Sequence, residues 1–183
     1  MTDAINTCNN SCAPGPSQLS WHLLKAFLKE DDFNDAFLSL ANSCLIEAHW
    51  PSAFKVSHTV VIPKPGKDSY TTAKNYRPIA LLETPSKLIS KMIAKCLQSD
   101  AVIYDIAHPL QFGGLAHKST TDSGFFLTET IKKAHNAGLY TSVLAIDISQ
   151  FFPSLNHQAI LDILVKEGFS PILVNLLRSY YAD

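Results

Sequence analysis

The sequence predicts an α+β fold in which helices outnumber strands. Apolar residues at helical spacing define most segments, and these alternate with one β-hairpin and one further strand. The predicted order is helices, hairpin, helices, strand, helices. The 183 residues are 46% hydrophobic and 17% charged, which is typical of a globular chain and not of a disordered one. A chain of this length is able to bury one hydrophobic core.

For the first quarter of the chain, the sequence predicts an irregular segment followed by two helices. Residues 1–16 are rich in Asn, Ser, Cys, Pro and Gly, so we expect a flexible N-terminal segment there. Ser17 is a suitable N-cap for the first helix. The second helix begins after Asp31 and Asp32, and Pro51 prevents its continuation.

A β-hairpin is predicted in the middle of the chain. Residues 56–62 are rich in β-branched side chains and end at Pro63, and residues 76–82 have the composition of a returning strand. The turn between them carries two lysines. A helix is predicted from about Thr84, with apolar residues on one face and lysines on another.

The positive charge of the chain is concentrated around this hairpin. The whole chain has a net charge of −1, but residues 55–96 carry +6, whereas residues 1–54 carry −4 and residues 97–183 carry −3. A basic region between acidic flanks can bind a polyanion such as a nucleic acid. A solvated lysine-rich surface is the alternative, since runs of charge are usually solvated.

Three helices and one strand are predicted in the second half of the chain. A helix over about residues 119–136 precedes a strand over Thr141–Ile148. Asn156 is the predicted N-cap of the next helix, which ends at Gly168. The last helix begins near Pro171 and runs close to the C-terminus.

The sequence also gives no indication that this chain is a membrane-spanning, secreted or zinc-binding protein. No apolar run is long enough to span a membrane, and no hydrophobic stretch follows a basic N-terminus, so neither a transmembrane helix nor a signal peptide is predicted. The cysteines fit no closed zinc pattern and are predicted to be free thiols in a reducing, intracellular compartment. They are Cys8, Cys12, Cys44 and Cys96.

Asp147 is the first candidate for a chemical role. It follows the apolar run Val143–Ile146, and an ionised carboxylate at the end of a buried strand is costly unless it is paired. A metal ion is one such partner, and the N–H groups of the following turn are the alternative. Phe151 and Phe152 follow. Because adjacent strand residues point to opposite faces, one of the two is expected to lie in the core.

Four patches of sequence, in order over roughly residues 13–183, carry a resemblance to a known family. They are Ala13–Pro16 with Leu23–Lys25; Val61–Lys67 with Asn75–Leu82 and Lys87-Leu88; Gln111–Gly114 with Ser119–Asp122; and Leu144–Phe152 with Asn156-His157. Together they resemble the reverse transcriptase domain of non-LTR retrotransposons. The resemblance implies an incomplete right-hand polymerase, in which residues 17–140 are fingers-like and residues 141–183 begin the palm.

The resemblance implies an RNA-directed DNA polymerase, an enzyme of the nucleotidyltransferase class. Its partners are then an RNA template, a DNA primer and a dNTP, and its cofactor is Mg²⁺, used as a pair of ions. Asp147 is implied as the catalytic metal ligand, together with the backbone carbonyl of Ile148. No membrane partner is expected, a nuclear location fits the resemblance, and the oligomeric state is left open.

The same resemblance implies nucleotide-binding and template-contacting residues. Lys64 and Arg77 are expected to bind the triphosphate, since both side chains pair with phosphate oxygens, and Phe152 is expected to lie against the sugar. Gln111 and Gly113 are expected to contact the template, where a glycine lets the backbone approach closely. The alternatives are that Lys64 and Arg77 are only exposed charges of the hairpin and that Phe152 is a core residue. For Gly113, the alternative is a turn glycine that contacts no ligand.

The later motifs of the family are not found in these 183 residues. A Gly-Ser-Pro-like segment and an Asp-Asp turn are missing from the sequence, and Pro153 stands where many relatives have a second acidic residue. Tyr181-Ala182-Asp183 is predicted to end the last helix. We therefore expect the polypeptide to be inactive by itself. A non-catalytic nucleic-acid-binding or assembly module derived from a reverse transcriptase is the main alternative, and a helical protein-interaction domain is a third.

Overall fold

The computed structural model describes residues 1–182, apart from the side chain of Thr2. Within this range the chain forms eight α-helices, two short 3-10 helices and two β-strands. The helices are α1 (Thr2–Asn6), α2 (Trp21–Phe27), α3 (Asp31–Ile46), α4 (Thr84–Ile103), α5 (Thr120–Asn136), α6 (Phe151–Ser154), α7 (His157–Lys166) and α8 (Pro171–Tyr181). The strands are β1 (Ser57–Pro63) and β2 (Tyr76–Leu82), and the 3-10 helices are Ser52–Phe54 and Ala73–Asn75.

The chain divides into two compact units. The larger contains Met1–Lys95 and the C-terminal segment from Ser170, and the smaller contains Cys96–Phe169. Helix α4 begins in the larger unit and ends in the smaller one. The predicted division near residue 140 into fingers-like and palm-like parts stays a prediction. Across residues 1–182, no helix has the length and apolar character needed to cross a membrane.

Helices α2, α3, α4 and α8 contribute most of the buried apolar side chains of the larger unit. Leu24 of α2, Leu88 of α4 and Leu176 of α8 are fully buried, and α3 packs against α8. Trp50, which follows α3, is 2% exposed, and its ring meets Tyr180 edge-on with 5.0 Å between the ring centroids. Burial of a leucine contributes about 2 kcal/mol, so the C-terminal helix stabilises the same core as the N-terminal helices.

The N-terminal segment holds more structure than the sequence predicts. Residues 1–16 contain α1, and Ala4 and Cys8 are buried at 2% and 8% exposure. Gly15 lies so close to the end of β2 that a Cβ at this position would come within 2.5 Å of the Leu82 carbonyl oxygen. The segment is therefore packed against the hairpin, a tertiary contact that its turn-rich composition does not reveal.

Helix α2 is capped by Ser20 and not, as predicted, by Ser17. The Ser20 hydroxyl accepts a hydrogen bond from the Leu23 N–H at 3.3 Å. Ser17 instead donates both its N–H and its hydroxyl to the carboxylate of Glu83. Both serines are suitable N-caps by residue type. Ser17 is bound instead to Glu83, which is 66 positions away in the sequence, and Ser20 is therefore the cap.

The predicted β-hairpin is confirmed. Strands β1 and β2 pair antiparallel, with Ser57 opposite Leu82 and Pro63 opposite Tyr76. Pro78 is tolerated within β2 because each strand of a two-stranded sheet has a free edge. A helix-rich chain with this small antiparallel sheet agrees with the predicted α+β class.

The predicted strand over Thr141–Ile148 is not formed. Within residues 1–182 only β1 and β2 pair, and residues 139–148 lie outside any helix or strand. Leu144 and Ile146 are 84% and 83% exposed. A strand needs backbone hydrogen bonds to a neighbouring strand. The apolar pattern of this segment gives it a propensity for strand structure, but the described residues offer no strand for it to pair with.

Two of the helices predicted in the second half are confirmed, and α7 begins at the expected cap. Helix α5 starts with a capping box in which the Ser119 hydroxyl accepts from the Asp122 N–H and the Asp122 carboxylate accepts from Ser119. The side chain of Asn156 caps α7 by accepting from the Ala159 N–H at 3.0 Å. Gly168 follows α7 with a φ of +80°, the left-handed conformation that favours glycine.

The last predicted helix is also present. Helix α8 has Pro171 in its first turn and ends at Tyr181, as expected for a proline-initiated helix. Asp183, the remaining part of the Tyr181-Ala182-Asp183 sequence, lies outside the described residues.

Candidate functional site

Two residues expected to bind phosphate lie at the same end of the β-hairpin. Lys64 directly follows β1, and Arg77 is the second residue of β2, opposite Ile62. The Lys64 N–H donates to the Asn75 carbonyl at 2.8 Å, next to the strand pairing. Arg77 is exposed and forms no ion pair with a carboxylate of residues 1–182. Its guanidinium group is therefore available to an anion from solution.

The loop at the tip of the hairpin is held by its own side chains. The Lys64 ammonium donates to the Lys74 carbonyl at 2.7 Å, and the Tyr70 hydroxyl donates to the Lys64 carbonyl at 2.9 Å. The Tyr76 hydroxyl donates to the Tyr70 carbonyl at 3.0 Å, and the two rings lie 5.9 Å apart. Tyr76 lies within the Asn75–Leu82 patch of the sequence, but neither tyrosine is assigned a role from the sequence, because the contacts of their hydroxyl groups depend on how the loop folds.

Gln111 and Gly113 are brought together within one turn. The side-chain amide of Gln111 donates to the Gly113 carbonyl at 2.7 Å, and both residues are exposed. A Cβ at Gly113 would have room, whereas Gly114 has a φ of +76°, which favours glycine. The conformational need for glycine thus lies at Gly114, and contact of Gln111 and Gly113 with a template stays a prediction.

Asp147 is exposed and has no hydrogen-bond or ion-pair partner among residues 1–182. The N–H groups of the following turn, which were the alternative partner, therefore do not bind it. The backbone carbonyl of Ile148 likewise accepts no hydrogen bond from the described part of the chain. Both oxygen groups are available to an external ligand.

Neither Phe151 nor Phe152 lies in the core, in contrast to the prediction for one of them. Both belong to the short helix α6, which follows Gln150 in the left-handed conformation at a φ of 53°. Phe152 is 81% exposed and Phe151 is 45% exposed, and their rings meet edge-on with 5.4 Å between centroids. The alternation of side chains along a strand does not apply to a helical turn. Contact of Phe152 with a sugar stays a prediction.

The described residues do not complete a metal site. No group of three or more His, Cys, Asp or Glu side chains in residues 1–182 is arranged to hold a metal ion. Asp147 offers one carboxylate and Ile148 one carbonyl, whereas Mg²⁺ requires an octahedral set of oxygen ligands. A Mg²⁺ site at Asp147 therefore requires further ligands that the described part of this chain does not provide.

The expected site residues fall into two sets. Lys64 and Arg77 belong to the larger unit, and the other five belong to the smaller unit. Strand pairing places Lys64 and Arg77 at one end of the hairpin, and a single turn joins Gln111 to Gly113.

Sequence comparison decides the family. The profile of the family described as reverse transcriptase (RNA-dependent DNA polymerase) matches residues 62–182, which is more than half of the chain. The chain belongs to the reverse transcriptase family. The match begins within β1 and takes in the hairpin loop, β2 and the Asp147 segment of this reverse transcriptase chain, so it covers both sets of site residues.

Three similar proteins come from transposons. The probable RNA-directed DNA polymerase from transposon BS of Drosophila melanogaster is 31% identical over 186 residues, covering 100% of this chain and 20% of that protein. The corresponding X-element protein of the same species is 28% identical and covers 98% and 19%. The transposon TX1 uncharacterized 149 kDa protein of Xenopus laevis is 24% identical and covers 100% and 14%.

These similarities confirm the predicted relationship to reverse transcriptases of non-LTR retrotransposons. They extend over essentially the whole reverse transcriptase chain, including the N-terminal residues that precede the family match. The chain spans a fifth or less of the length of these relatives.

Proposed function

We propose that this chain is part of an RNA-directed DNA polymerase of a non-LTR retroelement, which extends a DNA primer by template-directed nucleotidyl transfer. The observation that carries the proposal is the family match over residues 62–182, because that range contains every residue expected to have a catalytic or binding role. The names of the relatives from transposon BS and X-element agree with this activity. The proposal concerns a longer protein, since the chain spans a fifth or less of those relatives.

In this proposal Lys64 and Arg77 bind the triphosphate of the incoming dNTP. Their positions at one end of the hairpin and the exposure of Arg77 support this role. Arg offers a planar fork to two phosphate oxygens, and Lys offers a compact charge. The Lys64 ammonium is bound to the Lys74 carbonyl, a neutral acceptor that a phosphate oxygen replaces with a stronger attraction.

The remaining side chains are assigned to the template and the sugar. Gln111 and Gly113 contact the template strand, and Phe152 lies against the sugar of the incoming nucleotide. The exposure of all three residues supports these contacts. With these assignments residues 17–140 are fingers-like and residues 141–183 begin the palm.

Asp147 and the carbonyl of Ile148 are proposed as two ligands of Mg²⁺, which neutralises phosphate charge when bound. The support is their lack of partners among the described residues. Because those residues include no acidic cluster at Asp147, we expect the 183-residue polypeptide to be inactive by itself.

Incorporation of a labelled dNTP on a primed RNA template tests the expected inactivity. The purified polypeptide should give no signal above that of a sample without protein. Incorporation that is abolished by Asp147→Asn would contradict the expectation, since it would show a complete active site in this chain.

Binding of the matching dNTP to the chain with its primed template, measured at several salt concentrations, tests the assignment of Lys64 and Arg77. Each substitution, Lys64→Gln or Arg77→Gln, should weaken dNTP binding and make it less dependent on salt, because one contact to a phosphate oxygen is lost. Lys132→Gln is the matched control, because this lysine lies on α5 and is paired with Glu129 at 2.9 Å. Equal binding by all three variants would contradict the assignment.

A non-catalytic nucleic-acid-binding or assembly module is a second candidate function. The single carboxylate at Asp147 and the presence of Pro153 in the following helix favour it. Template binding that does not change on addition of Mg²⁺ and the matching dNTP would support the module. Under either candidate we propose an intracellular, nuclear location, which fractionation of cells expressing the chain tests.

A further inference from the structure

A cleft in the larger unit lies between the N-terminal segment, strand β2 and helix α4. Its volume is about 580 Å³, within the size range of small-molecule sites. Trp21, Ile79 and Leu81 contribute apolar surface to its wall. None of the residues assigned to nucleotide, template or metal binding lines this cleft, so the proposed polymerase function does not account for it.

Two lysines of α4 line the same cleft. The Lys87 ammonium donates to the Ala13 carbonyl at 2.9 Å, and the Lys91 ammonium contacts the Cys8 sulfur at 3.5 Å. Both lysines are half-buried, and no acidic residue lines the cleft. Partly desolvated positive charges are therefore balanced here only by a carbonyl dipole and a thiol, which are weaker partners than an anion.

A third lysine adds to the positive charge of this region. The Lys25 ammonium donates to the backbone carbonyl of Cys8 at 2.6 Å. Neither Lys25, Lys87 nor Lys91 forms an ion pair with a carboxylate of residues 1–182. The arrangement combines an apolar wall with unneutralised positive charge, and a ligand that complements both has an apolar body and a negative group.

We propose that this cleft binds a small organic anion, namely an aromatic carboxylate or a compound of the same shape and charge. The aromatic body lies against Trp21, Ile79 and Leu81. The carboxylate pairs with Lys87 and Lys91, where it takes the place of their neutral acceptors. This site is separate from the hairpin end at which the triphosphate is proposed to bind.

The thiol of Cys8 provides a direct readout of occupancy. It lines the cleft, and it donates to the Ala4 carbonyl at 3.2 Å while it contacts Lys91. A suitable probe is 5,5′-dithiobis(2-nitrobenzoate), an aromatic disulfide with two carboxylates. The Cys8 sulfur attacks one sulfur of the probe, the probe's S–S bond breaks, a new S–S bond forms to Cys8, one thionitrobenzoate anion leaves, and the thiol proton goes to solvent.

The first experiment compares this anionic probe with cystamine, a cationic disulfide, on the native chain. Mass spectrometry gives the labelling rate at each cysteine, and exposed Cys96 of the smaller unit serves as the internal reference. The Cys8 to Cys96 rate ratio should be about tenfold or more higher with the anionic probe, because a cleft of one charge sign concentrates counter-ions. An equal ratio for the two probes would overturn the proposal.

Charge substitutions show which lysines are responsible. Lys87→Gln and Lys91→Gln should each lower the ratio obtained with the anionic probe. Lys67→Gln, on the exposed hairpin loop, is the matched control and should leave it unchanged. Equal Cys8 to Cys96 rate ratios in all three variants would contradict the proposed site. The preference of Cys8 for the anionic probe would then come from the overall charge of the chain.

A protection experiment avoids any effect of the variants on folding. In the native chain, 3-nitrobenzoate should slow the reaction of Cys8, but not Cys96, with neutral iodoacetamide, whereas 3-nitrobenzyl alcohol should protect much less. Equal protection by the acid and the alcohol would overturn the proposal. Protection by an RNA oligonucleotide without protection by nitrobenzoate would also overturn it, since the cleft would then belong to a nucleic-acid surface.

Discussion

The backbone N–H of Ser17 donates a hydrogen bond to the Glu83 carboxylate at 2.9 Å, and the Ser17 hydroxyl donates to the other oxygen of the same carboxylate. The two residues are 66 positions apart in the sequence. Ser17 follows the N-terminal segment, and Glu83 lies between β2 and α4. This pair therefore holds the entry to α2 against the start of α4.

Substitution Glu83→Ala should lower the free energy of unfolding by about 1 kcal/mol, because both hydrogen bonds are lost at a partly exposed site. Urea denaturation followed by circular dichroism measures the change. Glu129→Ala removes an exposed carboxylate paired with Lys132 and should cost less than about 0.5 kcal/mol. Equal effects of the two substitutions would show that the Ser17 contact does not stabilise the fold.

A methyl group at Gly15 should destabilise the chain. The added Cβ would lie 2.5 Å from the Leu82 carbonyl oxygen and 2.6 Å from the Glu83 nitrogen, so the backbone must move apart. We expect Gly15→Ala to cost about 1–3 kcal/mol, the range for overpacking. Thermal and urea denaturation measure this cost.

Gly124→Ala is the matched control for this prediction. Gly124 lies within α5, and a Cβ there has nothing within 4 Å. Alanine should stabilise the helix by about 0.5–1 kcal/mol, because glycine has the greater conformational entropy to lose. Destabilisation by both substitutions would indicate that the close approach at Gly15 is not responsible.

The exposed apolar run before Asp147 should promote self-association of the isolated chain. Leu144 is 84% exposed and makes no strand pairing, so Leu144→Lys should reduce light scattering without lowering the free energy of unfolding. Leu24→Ala is the contrasting variant, since Leu24 is fully buried and its truncation should cost about 2–5 kcal/mol. Unchanged scattering of Leu144→Lys would contradict the prediction.

The start of α5 should depend on pH. The Asp122 carboxylate accepts hydrogen bonds from the Ser119 hydroxyl, which has the larger effect, and from the Ser119 N–H. Both bonds hold the pKa of Asp122 below the ordinary value of 3.8. A carboxylate whose pKa is lowered on folding stabilises the folded state at higher pH, and the contribution is lost as the pH falls below 3.8 through the lowered pKa.

The amide proton shift of Ser119 in NMR spectra measures this titration. It should stay constant at neutral pH and move only in the acidic range, because the amide donates to the carboxylate that becomes protonated. In Asp122→Asn the same shift should not titrate. A midpoint at or above the ordinary aspartate range in the native chain would contradict the lowered pKa.

Local patterns in the sequence are sufficient to predict the hairpin and the main helices. β-branched residues and Pro63 mark β1, and Asn156 marks the start of α7. These signals work because strand propensity and N-capping depend on residues within a few positions of each other. The four sequence patches likewise indicate the reverse transcriptase family, because each patch consists of residues that are close in sequence.

The candidate site is less completely determined by the sequence. Asp147, Phe152 and Arg77 are each identified by their motifs, but the pattern around Asp147 predicts a strand, and the structure has none there. The pattern also places one phenylalanine in the core, and both are exposed in α6. Strand formation and burial both require a partner surface, and a sequence pattern does not specify whether that partner is present.

The sequence by itself determined the family, the α+β class, the hairpin and the free thiols of this chain. Only the tertiary structure decided that Ser20 caps α2, that the N-terminal segment packs against β2, and that Cys8 meets Lys91 across a cleft. The physical reason is distance along the chain. Propensities and caps act between near neighbours, whereas the contacts of Ser17 with Glu83, Gly15 with Leu82 and Cys8 with Lys91 join residues that are tens of positions apart and depend on how the helices pack.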